Sequence, residues 1–397
     1  MAKKNKIYSW LVIHMETVYY IGFYSDDTAK RCRNSFNNPA GTMKMNYIIS
    51  CLKQMGFKVI VVSICHNKRG GYHPLEKVVV DSQETHIYLP YFSIKVFSKY
   101  VGSGFTSRLS LKKFVKKNID SGSLLITYHS LFYKSFFNSS HKRIHFKWIH
   151  QIEELYSYRL IDKTSFSVRK EESYFSDADA FLFSNDIMPN LYANNKPFAV
   201  SYGNYTFYER DTKAVSNNER KITYTGIINQ ERGVYSLLDS MMFLPKEYTL
   251  SILGFGEKKD MDTLLSKIED INDKSGCKKI VFLGTKNGKE YDDFLFSHSI
   301  GVSLLDTTNK NIECHCFPSK ILSYLGHSLN VVASDCETIK KSKVSSLLYL
   351  CNNNPKDIAE AIIDASNGER KTYKEELLDL ENSFKNDFER IIHTINK

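Results

Sequence analysis

A Phe-Pro-Ser-Lys sequence, Phe317, Pro318, Ser319 and Lys320, lies directly before an apolar run with helical spacing. Proline suits the start of a helix because its missing N–H would have no partner there. Ser319 and Lys320 then occupy a first turn whose backbone N–H groups are free. Such a terminus with a lysine beside it favours an anion, and the phosphates of a nucleotide are a natural guest. The alternative is an ordinary proline-started helix of any α/β protein.

Two histidines and a nearby carboxylate are candidates for acid–base chemistry. His129 and His150 each follow a short apolar run that predicts a strand, and Glu153 comes three residues after His150. At the end of a strand, such a side chain can take the proton of a substrate hydroxyl as a general base. The alternative for His129 is a capping or core histidine. For Glu153 and Glu154 the alternative is stabilisation of a helix N-terminus.

The first half of the chain predicts a β-loop-α-β unit with a glycine-containing loop at the carboxyl end of its first strand. Residues 7–13 form the predicted first strand, and a helix begins near Asn-Asn-Pro-Ala-Gly, residues 37–41, and ends at Gly56. Open α/β sheets bind ligands at the carboxyl ends of their strands. We therefore expect Gly41 and Thr42 to line a ligand-binding loop.

Short continuous apolar runs alternate with helical patterns along the whole chain, as in parallel strands that are covered on both faces. A polar stretch at residues 208–220 separates two such series, and residues 373–395 have helical spacing with no strand after them. The sequence predicts an α/β protein of two doubly wound, Rossmann-like domains that face a central cleft. The predicted domains are residues 1–207 and 208–372, followed by a helix, 373–397, that packs back on the first domain.

The charge is unevenly distributed. Residues 1–210 contain 29 Lys and Arg against 16 Asp and Glu, a net charge of +13, although the whole chain of 397 residues has +10. A basic half favours an anionic partner such as a membrane surface, a lipid diphosphate or nucleic acid. The alternative is a solvated basic surface. An aromatic cluster in the basic half is a candidate for peripheral membrane contact: Tyr88, Tyr91, Phe92, Phe97, Tyr100 and Phe105.

Composition excludes several classes of protein. An apolar content of 42% and an aromatic content of 13% argue against disorder. No run of about 18 apolar residues is present, and the N-terminus lacks the features of a signal peptide, so we expect a cytoplasmic protein. The eight cysteines include no CxxC pair, and Cys314-His315-Cys316 alone does not make a tetrahedral zinc site. We expect no metal.

Four loops of the second half together resemble those of the GT-B glycosyltransferases, specifically the family-4-like class (glycosyl transferases group 1) of bacterial polysaccharide biosynthesis. The family's loop Gly-Arg-x-x-x-x-Lys-Gly is similar to residues 226–233, where Arg232 keeps the last basic residue and Ile227 replaces the arginine. Gly254 and Gly256 resemble a Gly-x-Gly turn, and residues 284–286, which include Thr285, resemble a loop beside the nucleotide base. The two glutamates of the family signature correspond to His315 and Ser323.

The resemblance implies transfer of a sugar from a nucleotide-diphosphate donor, a UDP-sugar rather than a GDP-sugar, to a glycan or a lipid-linked glycan in surface polysaccharide assembly. It implies no cofactor and no nucleic-acid partner. A non-catalytic GT-B subunit, a chaperone partner of a transferase and a nucleotide-sugar epimerase remain as alternatives, because both acidic positions are replaced. The resemblance also implies that the first domain binds the acceptor, with Gly41 and Thr42 in an acceptor-side loop. The expected donor-binding residues are Gly226, Arg232, Gly254, Gly256, Thr285, His315, Phe317, Pro318, Ser319, Lys320 and Ser323.

Overall fold

The computed structural model describes residues 16–26, 39–66, 70–96, 99–156, 170–209, 220–306, 317–369 and 371–397. The chain packs as two compact units. The first contains residues 1–133 and 139–149, and the second contains residues 134–138 and 150–397. The predicted domain boundary at 207/208 stays a prediction.

The first unit is built on parallel strands. Its strand order is β9-β8-β1-β2-β5-β4, in which β1 pairs in parallel with β2 and β8, and β4 is antiparallel to β5. A separate antiparallel sheet has the order β3-β6-β7. The elements of this part of the chain are β1 (Thr17–Gly22), α1 (Pro39–Gln54), β2 (Lys58–Ser63), β3 (Gly71–His73), β4 (Glu76–Val79), β5 (Glu84–Tyr88), β6 (Tyr91–Val96), β7 (Lys99–Val101), α2 (Ser103–Asn118), β8 (Leu124–Tyr128), α3 (Phe136–Ile144) and β9 (Lys147–Ile152).

The second unit is organised around a six-stranded sheet of the order β14-β13-β12-β15-β16-β17, in which all the neighbouring strands are parallel. A parallel pair, β10 and β11, belongs to the same unit, and the last helix, α11, packs on β11 and α8. Its elements are β10 (Ala180–Phe183), α4 (Met188–Tyr192), β11 (Phe198–Val200), β12 (Lys221–Ile227), α5 (Val234–Ser240), β13 (Thr249–Phe255), α6 (Lys258–Ser275), β14 (Ile280–Phe282), α7 (Lys289–Phe296), β15 (Ile300–Ser303), α8 (Lys320–Gly326), β16 (Asn330–Ser334), α9 (Glu337–Lys340), β17 (Leu348–Cys351), α10 (Pro355–Asn367) and α11 (Lys374–Asn396).

The N-terminal region differs from the sequence prediction. The predicted strand at residues 7–13 lies outside the described residues, whereas Thr17–Gly22 forms a strand that was not predicted. Its β-branched and aromatic residues suit a strand, and Val18, Tyr20 and Ile21 are buried. Gly41 and Thr42 lie in the first turns of α1 and not in a loop.

The predicted membrane contact of the aromatic cluster is wrong for Tyr88 and Tyr91, which are buried in the core. Phe92 and Phe105 are exposed. The side chains of Phe97 and Tyr100 lie outside the described part. Among the helices that the structure describes, none is long and apolar enough to cross a bilayer.

A buried histidine in the first unit is held between two carboxylates. His86 lies in β5, with its Nδ1 atom 3.0 Å from Asp26 Oδ2 and its Nε2 atom 2.7 Å from Glu84 Oε1. The Tyr88 hydroxyl donates to the other Asp26 oxygen, and Lys53 pairs with Glu84. Burial lowers the pKa of His86, but the hydrogen bonds and charges of Asp26 and Glu84 outweigh burial, so that the pKa is raised.

We predict that His86→Gln lowers the free energy of unfolding at pH 6 by about 1–3 kcal/mol, because two carboxylates lose their shared cation. The histidine's raised folded-state pKa means that its contribution is complete below the unfolded pKa of about 6.5 and is lost as the pH rises through the folded pKa. Urea unfolding from pH 5 to 9 measures the difference. The exposed His393→Gln is the control, and a loss for His86→Gln that does not change with pH would contradict the prediction.

Candidate functional site

Gly226 near the end of β12 makes room for the side chain of Lys320. Its φ of +157° is rarely adopted by other residues, and a Cβ atom there would lie 2.6 Å from Lys320 Cε. A larger residue at position 226 would therefore displace the lysine. Because β12 is a central strand of a parallel sheet, Lys320 lies where such sheets bind ligands.

Gly254 and Gly256 allow the end of β13 to approach β12 closely. A Cβ atom at Gly254 would lie 2.1 Å from the carbonyl oxygen of Gly226, and one at Gly256 would lie 2.5 Å from that of Ile228. The Ile228 N–H also donates to the Phe255 carbonyl at 2.9 Å. Close packing of the two chain segments is sufficient to explain glycine at positions 254 and 256. The predicted contact of these glycines with a donor stays a prediction.

Tyr324 anchors the short helix α8 to the sheet. Its hydroxyl accepts from the Thr225 N–H at 2.9 Å and lies 3.2 Å from Thr225 Oγ1, which is also 3.1 Å from the Tyr291 hydroxyl. A Cβ atom on Gly301 in β15 would lie 2.4 Å from the Tyr324 ring. Complete burial raises the pKa of Tyr324, so the hydroxyl remains neutral. The sequence prediction missed this residue, because an apolar stripe does not distinguish a hydrogen-bonded core tyrosine from a packed one.

The residues that lead into α8 are fixed by aromatic and backbone contacts. The Phe317 ring lies 4.8 Å from that of Tyr202, and a Cβ atom on Gly203 would come within 3.3 Å of Ser319 Cβ. The helix begins at Lys320, two residues after Pro318, and the Ser319 side chain makes no capping hydrogen bond. The predicted loop-helix-strand order is correct, whereas the helix starts two residues later than proline placement suggested.

Lys320 is an ammonium without a partner in the described part of the chain. Its side chain forms no hydrogen bond or ion pair there, and burial, assisted by the positive charge of Arg232, lowers its pKa to about 8. Arg232 ends a 3₁₀ turn, Gln230–Arg232, in which Asn229 Oδ1 accepts from the Arg232 N–H at 3.1 Å. Lys320 and Arg232 are neighbouring cations that repel one another, and no carboxylate pairs with the lysine. A bound anion would reduce this repulsion.

The other predicted donor residues have simpler settings. Thr285 is exposed after β14. The Ser323 hydroxyl is half-buried and lies 3.5 Å from that of Tyr291. His315 lies outside the described residues. The structure therefore brings Gly226, Lys320 and Arg232 to one end of the sheet.

The predicted catalytic residues lie in different surroundings. His129 follows β8 and is buried. His150 does not end a strand as predicted: it lies within β9, is buried and stacks on Phe175 with ring centroids 5.3 Å apart. Glu153 is half-buried and accepts from Gln151 Nε2 at 2.6 Å, and its carbonyl accepts from Ser184. Tyr156, three residues after Glu153, is helical and is the last described residue before 170, so the helix-dipole alternative for this carboxylate stays a prediction.

Gly41 and Thr42 are also buried, and they belong to the first unit. The Thr42 hydroxyl is 3.4 Å from the Ser25 backbone N–H and carbonyl. This contact ties α1 to the chain after β1, which explains a buried threonine without a ligand. The predicted role of Gly41 and Thr42 on the acceptor side stays a prediction.

Comparison with known proteins identifies the fold. No family model and no curated protein matches the chain. One similar solved structure is described as trehalose-6-phosphate from E. coli bound with UDP-2-fluoro glucose, with a TM-score of 0.68 and 10% identity over 96% of this chain and 99% of that chain. An α,α-trehalose-phosphate synthase (UDP-forming) from Burkholderia vietnamiensis gives 0.67 and 9% over 96% and 98%. The enzyme of that description from Burkholderia xenovorans, in complex with glucose-6-phosphate, gives 0.66 and 7% over 96% and 100%.

These neighbours show that the chain has the GT-B fold, as the sequence predicted. At such low identity the likeness concerns the fold. The two Burkholderia structures named above are trehalose-phosphate synthases, and the narrower resemblance to family-4-like polysaccharide enzymes stays a prediction.

We predict that Lys320→Met stabilises the ligand-free protein. Between the folded pKa of about 8 and the unfolded pKa of about 10.4, the unfolded state binds more protons, so the stability of the wild type rises with pH in that range. Methionine removes the cost of the charge, and we expect a gain of about 1–3 kcal/mol at pH 7 that disappears by about pH 10.5. Urea unfolding measures it, with the exposed Lys289→Met as the control. A loss of stability at pH 7 would contradict the prediction.

Proposed function

We propose that the protein is a glycosyltransferase that takes its sugar from a nucleotide-diphosphate donor. The observation that carries the proposal is the unpartnered ammonium of Lys320, within the described residues, beside Arg232 at the end of a central parallel strand. Negative charge builds on the diphosphate as the glycosidic bond of the donor breaks. Cations that are already in place stabilise that charge without reorganisation.

The proposed donor is a UDP-sugar. Neighbours of the same fold include a UDP-forming synthase and a structure with UDP-2-fluoro glucose, which supports uridine over guanosine. In this proposal Lys320 and Arg232 bind the diphosphate. Gly226, Gly254 and Gly256 keep the adjoining backbone close, and Thr285 lies on a loop beside the base. The donor pocket around Lys320 is formed by Phe317, Pro318, Ser319 and Ser323. His315, which lies outside the described residues, is the remaining predicted donor-binding residue.

The proposed acceptor is a glycan or a lipid-linked glycan of surface polysaccharide assembly, bound by residues 1–207, while residues 208–372 bind the donor. His129 supports this assignment because it follows the carboxyl end of a parallel strand, where a general base is expected. Glu153 is the second candidate, since it is half-buried and follows β9. His150 is less suited as a general base, because its ring is buried and stacks on that of Phe175.

A non-catalytic GT-B subunit is the second candidate function. Ser323 stands where the resemblance implies a glutamate, and its hydroxyl lies near another neutral hydroxyl, that of Tyr291. A subunit of this kind would bind nucleotide without transferring sugar. Hydrolysis or transfer of a bound UDP-sugar distinguishes the two functions.

We predict that UDP raises the melting temperature of the protein, because a ligand that binds only the folded state stabilises it. Lys320→Met and Arg232→Met should each weaken UDP binding about tenfold or more, as expected for lost charge-assisted hydrogen bonds. Lys289→Met is the matched control, because this exposed lysine pairs with Asp293 on its own helix.

The affinity for UDP should fall as the pH rises above about 8, because the free protein then loses the Lys320 proton that the anion needs. Titration calorimetry with UDP and GDP, from pH 6.5 to 9.5, measures this. If neither nucleotide binds, or if both cleft variants bind as the wild type does, the proposal fails.

The proposed membrane contact uses one surface of the first unit. Tyr72 and Phe92 are cross-strand neighbours on β3 and β6, and both are exposed, as is Ile94. The Phe92 N–H and carbonyl both contact the Thr106 hydroxyl, which brings α2 alongside. On α2, exposed Phe105 and Leu109 precede four lysines, 112, 113, 116 and 117. Apolar side chains with adjacent lysines suit an anionic lipid surface.

We predict that the protein sediments with vesicles of phosphatidylcholine and phosphatidylglycerol and much less with phosphatidylcholine alone. A double substitution, Phe105→Ser with Leu109→Ser, should reduce binding about tenfold through lost apolar burial. Replacing the four lysines by glutamine should remove the preference for anionic lipid and the sensitivity to salt. Leu265→Ser, at an exposed position on α6, is the control. Equal binding to both vesicles would contradict the membrane proposal.

A further inference from the structure

A cavity of about 500 Å³ lies in the second unit between the last helix and the edge of the β10–β11 pair. Its volume falls within the range of roughly 300–1,000 Å³ that small-molecule sites occupy. One wall comes from α11, through Leu380, Phe384 and Ile391, and another comes from the chain at and after β11, through Phe198 and Tyr205. None of its lining residues belongs to the predicted donor site.

Asp186 supplies a carboxylate to this cavity. It comes shortly after β10, in a turn that Asn185 fixes by accepting from the Ile187 and Met188 N–H groups at 3.0 and 3.1 Å. Within the described residues, the side-chain donor to Asp186 is the Tyr202 hydroxyl, which lies 2.5 Å from Asp186 Oδ2. Burial raises the pKa of Asp186. The carboxylate thus retains acceptor capacity for a ligand hydroxyl.

The charged residues that line the cavity are three cations, Lys196, Lys343 and Arg390, and two carboxylates, Asp186 and Asp387. Arg390 pairs with Asp387 at 2.7 Å, and Lys343, whose ammonium donates to Ser383 Oγ at 2.8 Å, lies near Asp186. The one surplus positive charge is that of Lys196, whose ammonium donates to the carbonyls of Ser176 and Ala178. A phosphorylated ligand would therefore find every cation of the lining already hydrogen-bonded. A neutral ligand with several hydroxyl groups would find both an acceptor and donors.

The apolar walls complete this chemistry. The rings of Tyr205 and Phe384 lie 6.3 Å apart with an interplanar angle of 32°, and both line the cavity. A pyranose ring presents an apolar face of C–H groups and an edge of hydroxyls, which matches aromatic walls beside a carboxylate and an ammonium. Free amino groups or phosphates on the ligand are not needed for any of these contacts.

We propose that this cavity is a binding site for a neutral saccharide, separate from the donor site. The inference does not depend on the proposed transferase activity, because it rests on residues that the donor site does not use. Tyr202 links the two regions: its hydroxyl binds Asp186 and accepts from the Lys343 N–H at 3.0 Å, while its ring contacts Phe317. A saccharide at Asp186 therefore contacts the same tyrosine that supports the chain before α8.

The test measures binding of glucose, N-acetylglucosamine and maltose to the full chain at millimolar concentration, by saturation-transfer NMR and calorimetry. Asp186→Asn keeps the shape and removes the charged acceptor, and we expect the affinity to fall about tenfold, the effect of one hydrogen bond to a charged group. Thr394→Trp places a large ring at the exposed rim of the cavity and should abolish binding. Glu389→Trp, exposed on the same helix but outside the lining, is the matched control.

Each outcome decides the proposal. Saturable binding that Asp186→Asn weakens and Thr394→Trp abolishes, with Glu389→Trp unchanged, supports it. If the wild type binds none of the neutral saccharides, the proposal is overturned. It is also overturned if neither Asp186→Asn nor Thr394→Trp changes the binding. Tighter binding of glucose-6-phosphate than of glucose at this cavity, judged by the response to Thr394→Trp, overturns the neutral class of ligand. UDP binding by Thr394→Trp, measured in parallel, reports separately on the donor site.

Discussion

The positive charge of Lys320 is the constraint on which the second unit's site depends. An ammonium that is partly withdrawn from water beside a guanidinium raises the free energy of the folded state, and this is why its pKa lies near 8. In the part of the chain that the structure describes, no carboxylate pairs with the lysine itself. Folding thus leaves the Lys320 charge without an ion-pair partner at the end of a central strand, and a ligand of opposite sign would offset its cost.

The surrounding packing keeps the lysine from moving away. Gly226 provides the space for its side chain, and Gly254 lets the next strand approach so closely that a Cβ atom would overlap the Gly226 carbonyl. The helix that carries Lys320 is attached through Tyr324 to Thr225, the residue before Gly226. The strand end and the helix are therefore positioned by one set of contacts. A substitution in any of these glycines would alter the lysine's surroundings even though none of them carries charge.

The parallel strands of the second half were predictable because short, mainly apolar runs alternate with helical patterns. The run at 249–253 lies within the strand Thr249–Phe255, and the run at 300–304 overlaps the strand Ile300–Ser303. Thr17–Gly22 was missed because no turn signal separates it clearly from the residues before it. His150 was misassigned because a strand's end cannot be located from its apolar residues alone when the following residues are polar but buried. The cavity at Asp186 was not predictable, since its walls are separated by almost two hundred residues in the sequence.

Ser323, which stands where the family-4-like resemblance implies a glutamate, also has an electrostatic consequence. Ser323 follows Lys320 by three residues, and this spacing places both on neighbouring positions of one helix face. A carboxylate at position 323 would offset part of the positive charge of Lys320 and restore the lysine's pKa toward its ordinary value. With serine there, the charge of Lys320 is not offset from within its own helix. If the site binds a diphosphate as proposed, the phosphate charges therefore contribute more at Lys320 than the hydroxyls of a ribose would.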